Sequence, residues 1–252
     1  STIEDKYKSK LKELRIDWEE NGHSENRILN SDLIIKSPGI PEGADMIIKA
    51  KSKGIEIISE PEFASRYFKG KFIAITGTNG KTTTSLLTYH LLKECGYNVA
   101  LAGNIGNSVA QVVAEEKNDF IILEISSFQI DGINSFKPFI SVILNISPDH
   151  LDRYDNDIEK YAKSKISLSD YQDKNDHCVF NYDDFRLKNA FEGKSFKTWS
   201  FSLSNNDSNA IYKNGIYNFD CKEKYESALE NSPLIGRHNS CNIMAAFIAA
   251  NL

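Results

Sequence analysis

The chain has 252 residues, of which 40% are hydrophobic and 26% charged, with a net charge of −5 and a pI near 5.6. That length can hold one large or two modest domains around a buried core. The acidic balance excludes an electrostatic case for nucleic acid or anionic membrane as partner. No apolar run approaches the roughly 20 residues of a spanning helix either. Four cysteines (Cys95, Cys178, Cys221 and Cys241) are scattered without a C-x-x-C pair, and read as reduced, mostly structural thiols of a cytoplasmic protein. The N-terminus is polar and lysine-rich, unlike a signal peptide. The chain starts at Ser1 and stops at Leu252 inside a helical pattern, so a piece cut from a longer protein is expected.

Residues 6–14 read as a surface helix, 15–18 as a short β-prone segment and 19–26 as a polar loop. Leu33-Ile34-Ile35 reads as a buried strand, stopped by Ser37-Pro38-Gly39-Ile40-Pro41, where two prolines around a glycine end regular structure. A helix over 44–53, ended by Gly54, and a strand over 55–58 complete a βαβ unit. Residues 60–70 read as the passage to a second unit. This divides the chain at 70, into domains 1–70 and 71–252.

From Lys71 onward, apolar strands alternate with helices. Strands are expected at 71–76, 99–101, 120–123, 140–145 and 177–180, followed by a β-rich tail over 198–219. Helices are expected at 82–95, 108–117, 158–169 and from about 239 to the end. The fold class is therefore α/β: a P-loop domain whose largely parallel sheet is covered by helices, preceded by part of a Rossmann-like domain.

The stretch Gly77-Thr78-Asn79-Gly80-Lys81-Thr82-Thr83 lies between the first of these strands and its helix. Glycines let backbone N–H groups converge on an anion, and the helix N-terminus adds partial positive charge. Lys81 would reach terminal phosphates and the Thr82 hydroxyl a magnesium ion. The strict P-loop places a glycine five residues before Gly80, where this chain has Ile75, so the match is to the shorter G-x-x-G-K-T form. A nucleotide phosphate site follows.

Ligands of such sheets bind at the carboxyl ends of the strands. Glu124 follows four apolar residues and belongs there, where an acidic magnesium ligand would stand; a solvated strand-end glutamate is the plain alternative. His150 follows the next strand within Ser147-Pro148-Asp149-His150. Lys165 sits in the middle of an apolar helix face with Ile158, Tyr161, Ala162, Ile166 and Leu168, while Lys160 and Lys163 point away. It would snorkel, pair with a carboxylate, or lose its proton and take up carbon dioxide as a carbamate that binds metal. His238, Asn239 and Asn242 would cap the last helix or contact a base. Asp183-Asp184 and residues 155–159 read as solvated loop or helix-start charges, and Phe196, Trp199 and Phe201 as one strand face turned to the core.

Taken together, these stretches resemble the ATP-dependent Mur ligase family, and its D-glutamate-adding members in particular. The likeness is carried by Ser37-Pro38-Gly39-Ile40, Gly77-Thr78-Asn79-Gly80-Lys81-Thr82 and Gly103-Asn104-Ile105-Gly106. It continues with Leu123-Glu124-Ile125-Ser126-Ser127-Phe128-Gln129, the run from Asn145 through Asp149-His150-Leu151-Asp152-Arg153-Tyr154, and Gly236-x-His238-Asn239-x-x-Asn242. The resemblance also accounts for Ile75. It implies a cytoplasmic ligase of peptidoglycan precursor synthesis, in which the carboxylate of UDP-N-acetylmuramoyl-L-alanine becomes an acyl phosphate and D-glutamate then forms the amide. By this likeness ATP and two magnesium ions are used, with Thr82, Glu124, His150 and Lys165 as metal-binding positions and Lys165 carbamylated. Lys81, Glu124, His150 and Lys165 would be catalytic. Gly77 through Thr83, with His238, Asn239 and Asn242, would hold the nucleotide; Gly39, Asn104 and His150 would face the muramoyl substrate. The likeness further implies a monomer, domains 1–70 and 71–252 as the second half of a UDP-binding domain and an ATP-binding domain, and no turnover by this piece alone. The competing readings are a sibling or folylpolyglutamate-type ligase adding another amino acid, and a P-loop nucleotide-binding module without ligase activity.

Overall fold

A computed structural model describes residues 3–115, 117–194, 196–221, 224–227 and 232–252. The chain divides into two compact units, Ser1–Ile58 and Ser59–Leu252.

The first unit contains α1 (Asp5–Glu13), α2 (Glu25–Ile28), β1 (Leu33–Ile35), α3 (Asp45–Ser52) and β2 (Glu56–Ile58). Strands β1 and β2 pair in parallel, Leu33 opposite Glu56 and Ile35 opposite Ile58, with α3 as the crossover. This is the expected βαβ unit; α3 buries Ile47 and Ala50, one turn apart on one face. Three local expectations are corrected. Residues 15–18 form no strand, a short helix α2 interrupts the loop over 19–26, and β1 is only half covered, with Ile35 45% exposed. With only two strands, the unit has too little opposing surface to bury both faces of β1.

The second unit begins with α4 (Glu60–Ser65), β3 (Lys71–Thr76), α5 (Lys81–Glu94), β4 (Val99–Gly103), α6 (Val109–Glu115) and β5 (Phe120–Glu124). It continues with α7 (Ser127–Ile130), β6 (Ile140–Ile143), a 3-10 turn (Leu151–Tyr154), α8 (Ile158–Ile166), β7 (His177–Asn181) and α9 (Phe185–Phe191). Strands β8 (Lys197–Ser202), β9 (Ala210–Lys213), β10 (Ile216–Asp220) and β11 (Lys224–Ser227) precede α10 (Arg237–Asn251). Among the described residues, one sheet runs β11-β10-β9-β8-β7-β6-β3-β5-β4, parallel from β4 through β9 and antiparallel beyond.

The boundary between units lies at 58/59, not at 70. Glu62 of α4 explains the difference. Its carboxylate is fully buried and accepts the backbone N–H groups of Asn134 (3.1 Å), Ser135 (3.0 Å) and Phe136 (2.7 Å) and the Ser135 hydroxyl (2.6 Å). A buried carboxylate needs such partners, so α4 is fixed to the second unit and is no linker.

The apolar runs of the strands are covered on both sides. Ile73 and Ile75 of β3, with Ile122 and Val142, pack against Leu92 of α5 and Met244 and Ile248 of α10. The alternate residues Phe72 and Ala74, with Ile121 and Leu123, pack against Val109 and Val112 of α6. Further along, Ile143, Cys178 and Phe180 meet Tyr161 and Ala162 of α8 and Leu187 and Phe191 of α9. Period-two alternation sends successive side chains to opposite cores, which is why these strands read as continuous hydrophobic runs. Phe201 and Trp199 belong to the first core and Phe196 to the third, so the three aromatics do not share one face. All four cysteines are free thiols.

Candidate functional site

Strand β3 is flanked by β5 on one side and β6 on the other, so the chain reverses its direction of travel across the sheet at β3. Loops after these three strands therefore diverge and leave a crevice at their carboxyl ends. The register places Glu124 level with Ile75 of β3 and Gly103 of β4. Gly103 has φ +99, and a Cβ there would press on the Glu124 carbonyl, so glycine is what lets β4 turn away beside the carboxylate.

The loop after β3 is braced by Asn145, just beyond β6. The Asn145 carbonyl accepts the Thr78 N–H (2.9 Å). Its side chain accepts the Asn79 N–H (2.9 Å) and donates to the Asn79 carbonyl (3.0 Å). The Thr78 hydroxyl donates to the Ser147 carbonyl (3.1 Å), accepts the Ser147 N–H (3.0 Å) and lies 3.3 Å from the Tyr161 hydroxyl. Gly80, at φ +86, is the N-cap of α5, and the space over its α-carbon is taken by the Asn242 amide of α10. The Thr78 and Asn79 N–H groups are used by Asn145, and beyond them the first-turn N–H groups of α5 at Lys81, Thr82 and Thr83 stand where a helix N-terminus meets an anion.

Charged side chains converge on this loop. Lys81 Nζ donates to the carbonyls of Gly77 (3.0 Å) and Thr78 (2.8 Å). The Thr82 hydroxyl donates to Glu124 Oε2 (2.8 Å), and Asn104 Nδ2 donates to Glu124 Oε1 (3.0 Å). Glu124 is 1% exposed and so is held by neighbours rather than by water, which removes the reading of it as a solvated strand end. Lys165 is 2% exposed; its Nζ donates to the Gly77 carbonyl (3.1 Å) and lies over the Tyr161 ring (4.6 Å). It does not snorkel. Burial lowers its pKa to about 7, aided by the Lys81 charge and opposed by Asp149 and Asp131. Burial also lowers the Lys81 pKa, against the pull of Glu124 and Asp149.

The remaining site residues are placed differently. His150 is exposed and has a left-handed backbone (φ +48), with its Nε2 3.6 Å from Asp149 and its ring on Phe128. Among the described residues no group of three His, Cys, Asp or Glu side chains stands ready for a metal. The Thr82 and Glu124 oxygens do lie together, and two hard oxygen donors beside a phosphate-binding loop suit a magnesium ion that keeps water and phosphate as its other ligands. Asn239 does not cap α10, since Gly236 holds that position; its Nδ2 donates to the Ile235 carbonyl (2.9 Å) and its Oδ1 accepts from Asn242 (3.2 Å). His238 is exposed in the first turn of α10. Gly39 lies in the first unit, where the Ile40 N–H returns to the Ser37 carbonyl (3.0 Å).

Some site-building residues escaped the sequence reading. Asn145 and Phe128 stood inside quoted motifs without a role, and Tyr161 read only as part of an apolar face. Asp184 is half-buried and is more than a solvated charge, whereas Asp183 is exposed as expected. Asp184 caps α9 and accepts the Ile146 N–H (2.8 Å), while Asp183 accepts the hydroxyls of Ser202 and Ser204 and the Leu203 N–H (2.7 Å). An acid immediately before an amphipathic run was the available sign of the Asp184 cap.

Residues 75–250 match the Mur ligase middle domain. A UDP-N-acetylmuramoylalanine--D-glutamate ligase of Christiangramia forsetii is 43% identical over 99% of this chain and 57% of its own length. A ligase of the same name from Bacteroides thetaiotaomicron is 44% identical over 100% of the chain and 57% of its own length. The chain thus spans about 57% of the length of these relatives. Among solved structures, a UDP-N-acetylmuramate:L-alanyl-gamma-D-glutamyl-meso-diaminopimelate ligase from Neisseria meningitides aligns with TM-score 0.66 and 18% identity, over 100% of this chain and 83% of that one. A MurF ligase from Thermotoga maritima in complex with ADP aligns with TM-score 0.59 and 20% identity, over 89% and 63%. At such identities the structural likeness speaks for the fold.

Proposed function

The chain belongs to the Mur ligase family, and from that premise we propose that it carries the nucleotide site of an ATP-dependent, ADP-forming ligase. The ligase joins D-glutamate to UDP-N-acetylmuramoyl-L-alanine in cytoplasmic peptidoglycan precursor synthesis. The choice of amino acid rests on the names of relatives 43–44% identical across the chain. The chemistry rests on one observation: Lys81, Lys165 and the Thr82–Glu124 pair all meet at the loop after β3.

The muramoyl-alanine carboxylate attacks the γ-phosphorus of ATP, the bond to the β-phosphate oxygen breaks, and ADP leaves an acyl phosphate. The neutral amine of D-glutamate adds to the acyl carbon; phosphate departs, a proton is lost, and an amide remains. Both reactants of the first step are anions, so the site must neutralise charge and align them. Lys81 is desolvated and needs little rearrangement to exchange carbonyl partners for phosphate oxygens. The first turn of α5, through Lys81, Thr82 and Thr83, supplies backbone donors, and Gly77 through Gly80 shape the turn. Thr82 and Glu124 would hold magnesium, which offsets phosphate charge when bound. Asn104 fixes the Glu124 carboxylate beside the muramoyl substrate, and His150 faces that substrate and would hold a second metal. His238, Asn239 and Asn242 surround the base, and Gly39 the uridine end.

As a carbamate, Lys165 would be a ligand of the second metal. Its amine is neutral in a large fraction near pH 7, attacks carbon dioxide and loses a proton, turning a buried cation into an anion. The unit 1–58 belongs to the UDP-binding domain, and the whole protein acts as a monomer. The 252 residues alone do not complete the ligation.

The test is phosphate release from ATP by the protein at the length of its relatives, with UDP-N-acetylmuramoyl-L-alanine and D-glutamate, L-glutamate, L-lysine or no amino acid. Release requiring both the muramoyl substrate and D-glutamate is expected. Release with another amino acid would reassign the step to a sibling ligase. Release indifferent to both would leave a nucleotide-hydrolysing module.

A further inference from the structure

We propose that Phe128 is the positioning residue of the His150 imidazole, so that the stretches 124–129 and 149–154 act as one device. The proposal rests on the ligase reading for what His150 does, and on contacts alone for how it is held.

His150 opens the 3-10 turn Leu151–Tyr154 in a left-handed conformation (φ +48), and Asp155 and Asn156 close it at φ +55 and +57. His, Asp and Asn are the non-glycine residues that enter this region most readily, so the sequence permits the turn at a small cost, and contacts from outside settle where it sits. The imidazole cannot hold itself. Its side chain is 61% exposed, and the Asp149 carboxylate 3.6 Å away is itself solvated, which makes that pairing weak.

Phe128 supplies the missing hold. It is the second residue of α7, whose start is fixed by a reciprocal capping box between Ser126 and Gln129, directly after Glu124 and Ile125. Its ring meets the His150 ring edge-on (centroids 5.5 Å apart, 61°), lies parallel to Tyr154 (6.1 Å, 12°) and carries the Arg153 guanidinium 4.4 Å over its centre. Three of the five residues 150–154 therefore touch one side chain. A second tie backs this up: the buried Tyr154 donates its hydroxyl to Asp131, just past α7 (2.9 Å). Of these two ties from α7, the Phe128 contact is the one that reaches the imidazole. A short, capped helix thus links the strand end bearing Glu124 to a histidine on an exposed turn. The aromatic edge and face are required, because an aliphatic side chain offers neither the stacking surface nor the cation–π site.

The experiment compares Phe128→Leu with Phe128→Tyr. In this chain, imidazole resonances of the five histidines are followed by NMR, with His150 assigned from its absence in His150→Gln. In Phe128→Leu the His150 signals are expected to lose their ring-current shift while the other four and the far-UV circular dichroism stay unchanged; Phe128→Tyr retains the wild-type positions. In the protein at its relatives' length, Phe128→Leu lowers kcat/KM for the muramoyl substrate about tenfold with the KM for ATP unchanged, and Phe128→Tyr restores it. If Phe128→Leu does not fold, Phe128→Met, closer in volume, takes its place. Unmoved His150 resonances, or Phe128→Tyr as impaired as Phe128→Leu, would overturn the proposal. Shifted resonances without any ligase activity would instead remove the ligase reading of His150 and leave the positioning intact.

Discussion

Lys81 and Lys165 both donate to the carbonyl of Gly77, at 3.0 and 3.1 Å. Two ammonium groups on one acceptor repel each other, and part of the lowering of the Lys165 pKa comes from that pair. The arrangement favours any state in which one of them is neutral or faces an anion. Phosphate at the loop and a carbamate on Lys165 are two ways of meeting that demand.

The pair has a pH signature. A lysine whose folded pKa is about 7 against the ordinary value of 10.5 binds fewer protons folded than unfolded between those values. Stability from this group therefore rises with pH across the window of about 7 to 10.5, and its cost is fully present below about 7. The stability of Lys165→Met against denaturant should exceed that of wild type most at pH 7 and below, with the gap closing as pH approaches 10. A gap independent of pH would contradict the burial of a titrating amine.

Gly80→Ala should disable the loop. The backbone there sits at φ +86, and the added methyl would collide with the Asn242 amide. A loss of about 1–3 kcal/mol is expected from the backbone strain, measured by chemical denaturation. Binding of a fluorescent ATP analogue should fall by at least about tenfold, as about 1.4 kcal/mol of misplacement suffices for that.

Asn145→Ala removes the amide that holds both polar groups of the Asn79 backbone. Nucleotide affinity should drop about tenfold, the equivalent of about 1.4 kcal/mol, because the loop must be ordered at the moment of binding. The far-UV circular dichroism should not change. Unaltered affinity on titration calorimetry would show that the loop keeps its shape without this brace.

Glu62→Ala removes a buried carboxylate that accepts three backbone N–H groups, of which that of Phe136 is itself buried. A destabilisation of about 3 kcal/mol is expected by urea unfolding. Burial raises the Glu62 pKa, but the Ser135 hydroxyl and the N–H donors outweigh it and the net shift is downward. Its contribution is thus present above the unfolded value of 4.5 and lost as pH falls through the lower folded value. Wild type and Glu62→Ala should converge in stability under acid.

Much of this was legible in the sequence for a physical reason. Strands covered on both faces are continuous apolar runs, and the polar residue that ends such a run, as Glu124 does, must lie at the sheet's carboxyl edge. Lys165 stood out because charge on an apolar helical face is rare. What sequence reading missed depends on contacts between distant segments. Nothing near Glu62 shows that residues 134–136 will present their N–H groups to it, so α4 read as a linker. The four-residue α7 and seven-residue α9 are too short to show a helical period. The reciprocal bonds of Asn145 and Asn79 become visible only when β3 and β6 are neighbours.

The most direct measurement follows oxygen. UDP-N-acetylmuramoyl-L-alanine labelled with 18O in its carboxylate would be turned over by the protein at its relatives' length with ATP and D-glutamate, and the released phosphate analysed by mass. The account predicts one 18O in each phosphate, carried there by the acyl phosphate. Phosphate free of label, with amide formed or ATP consumed, would contradict it.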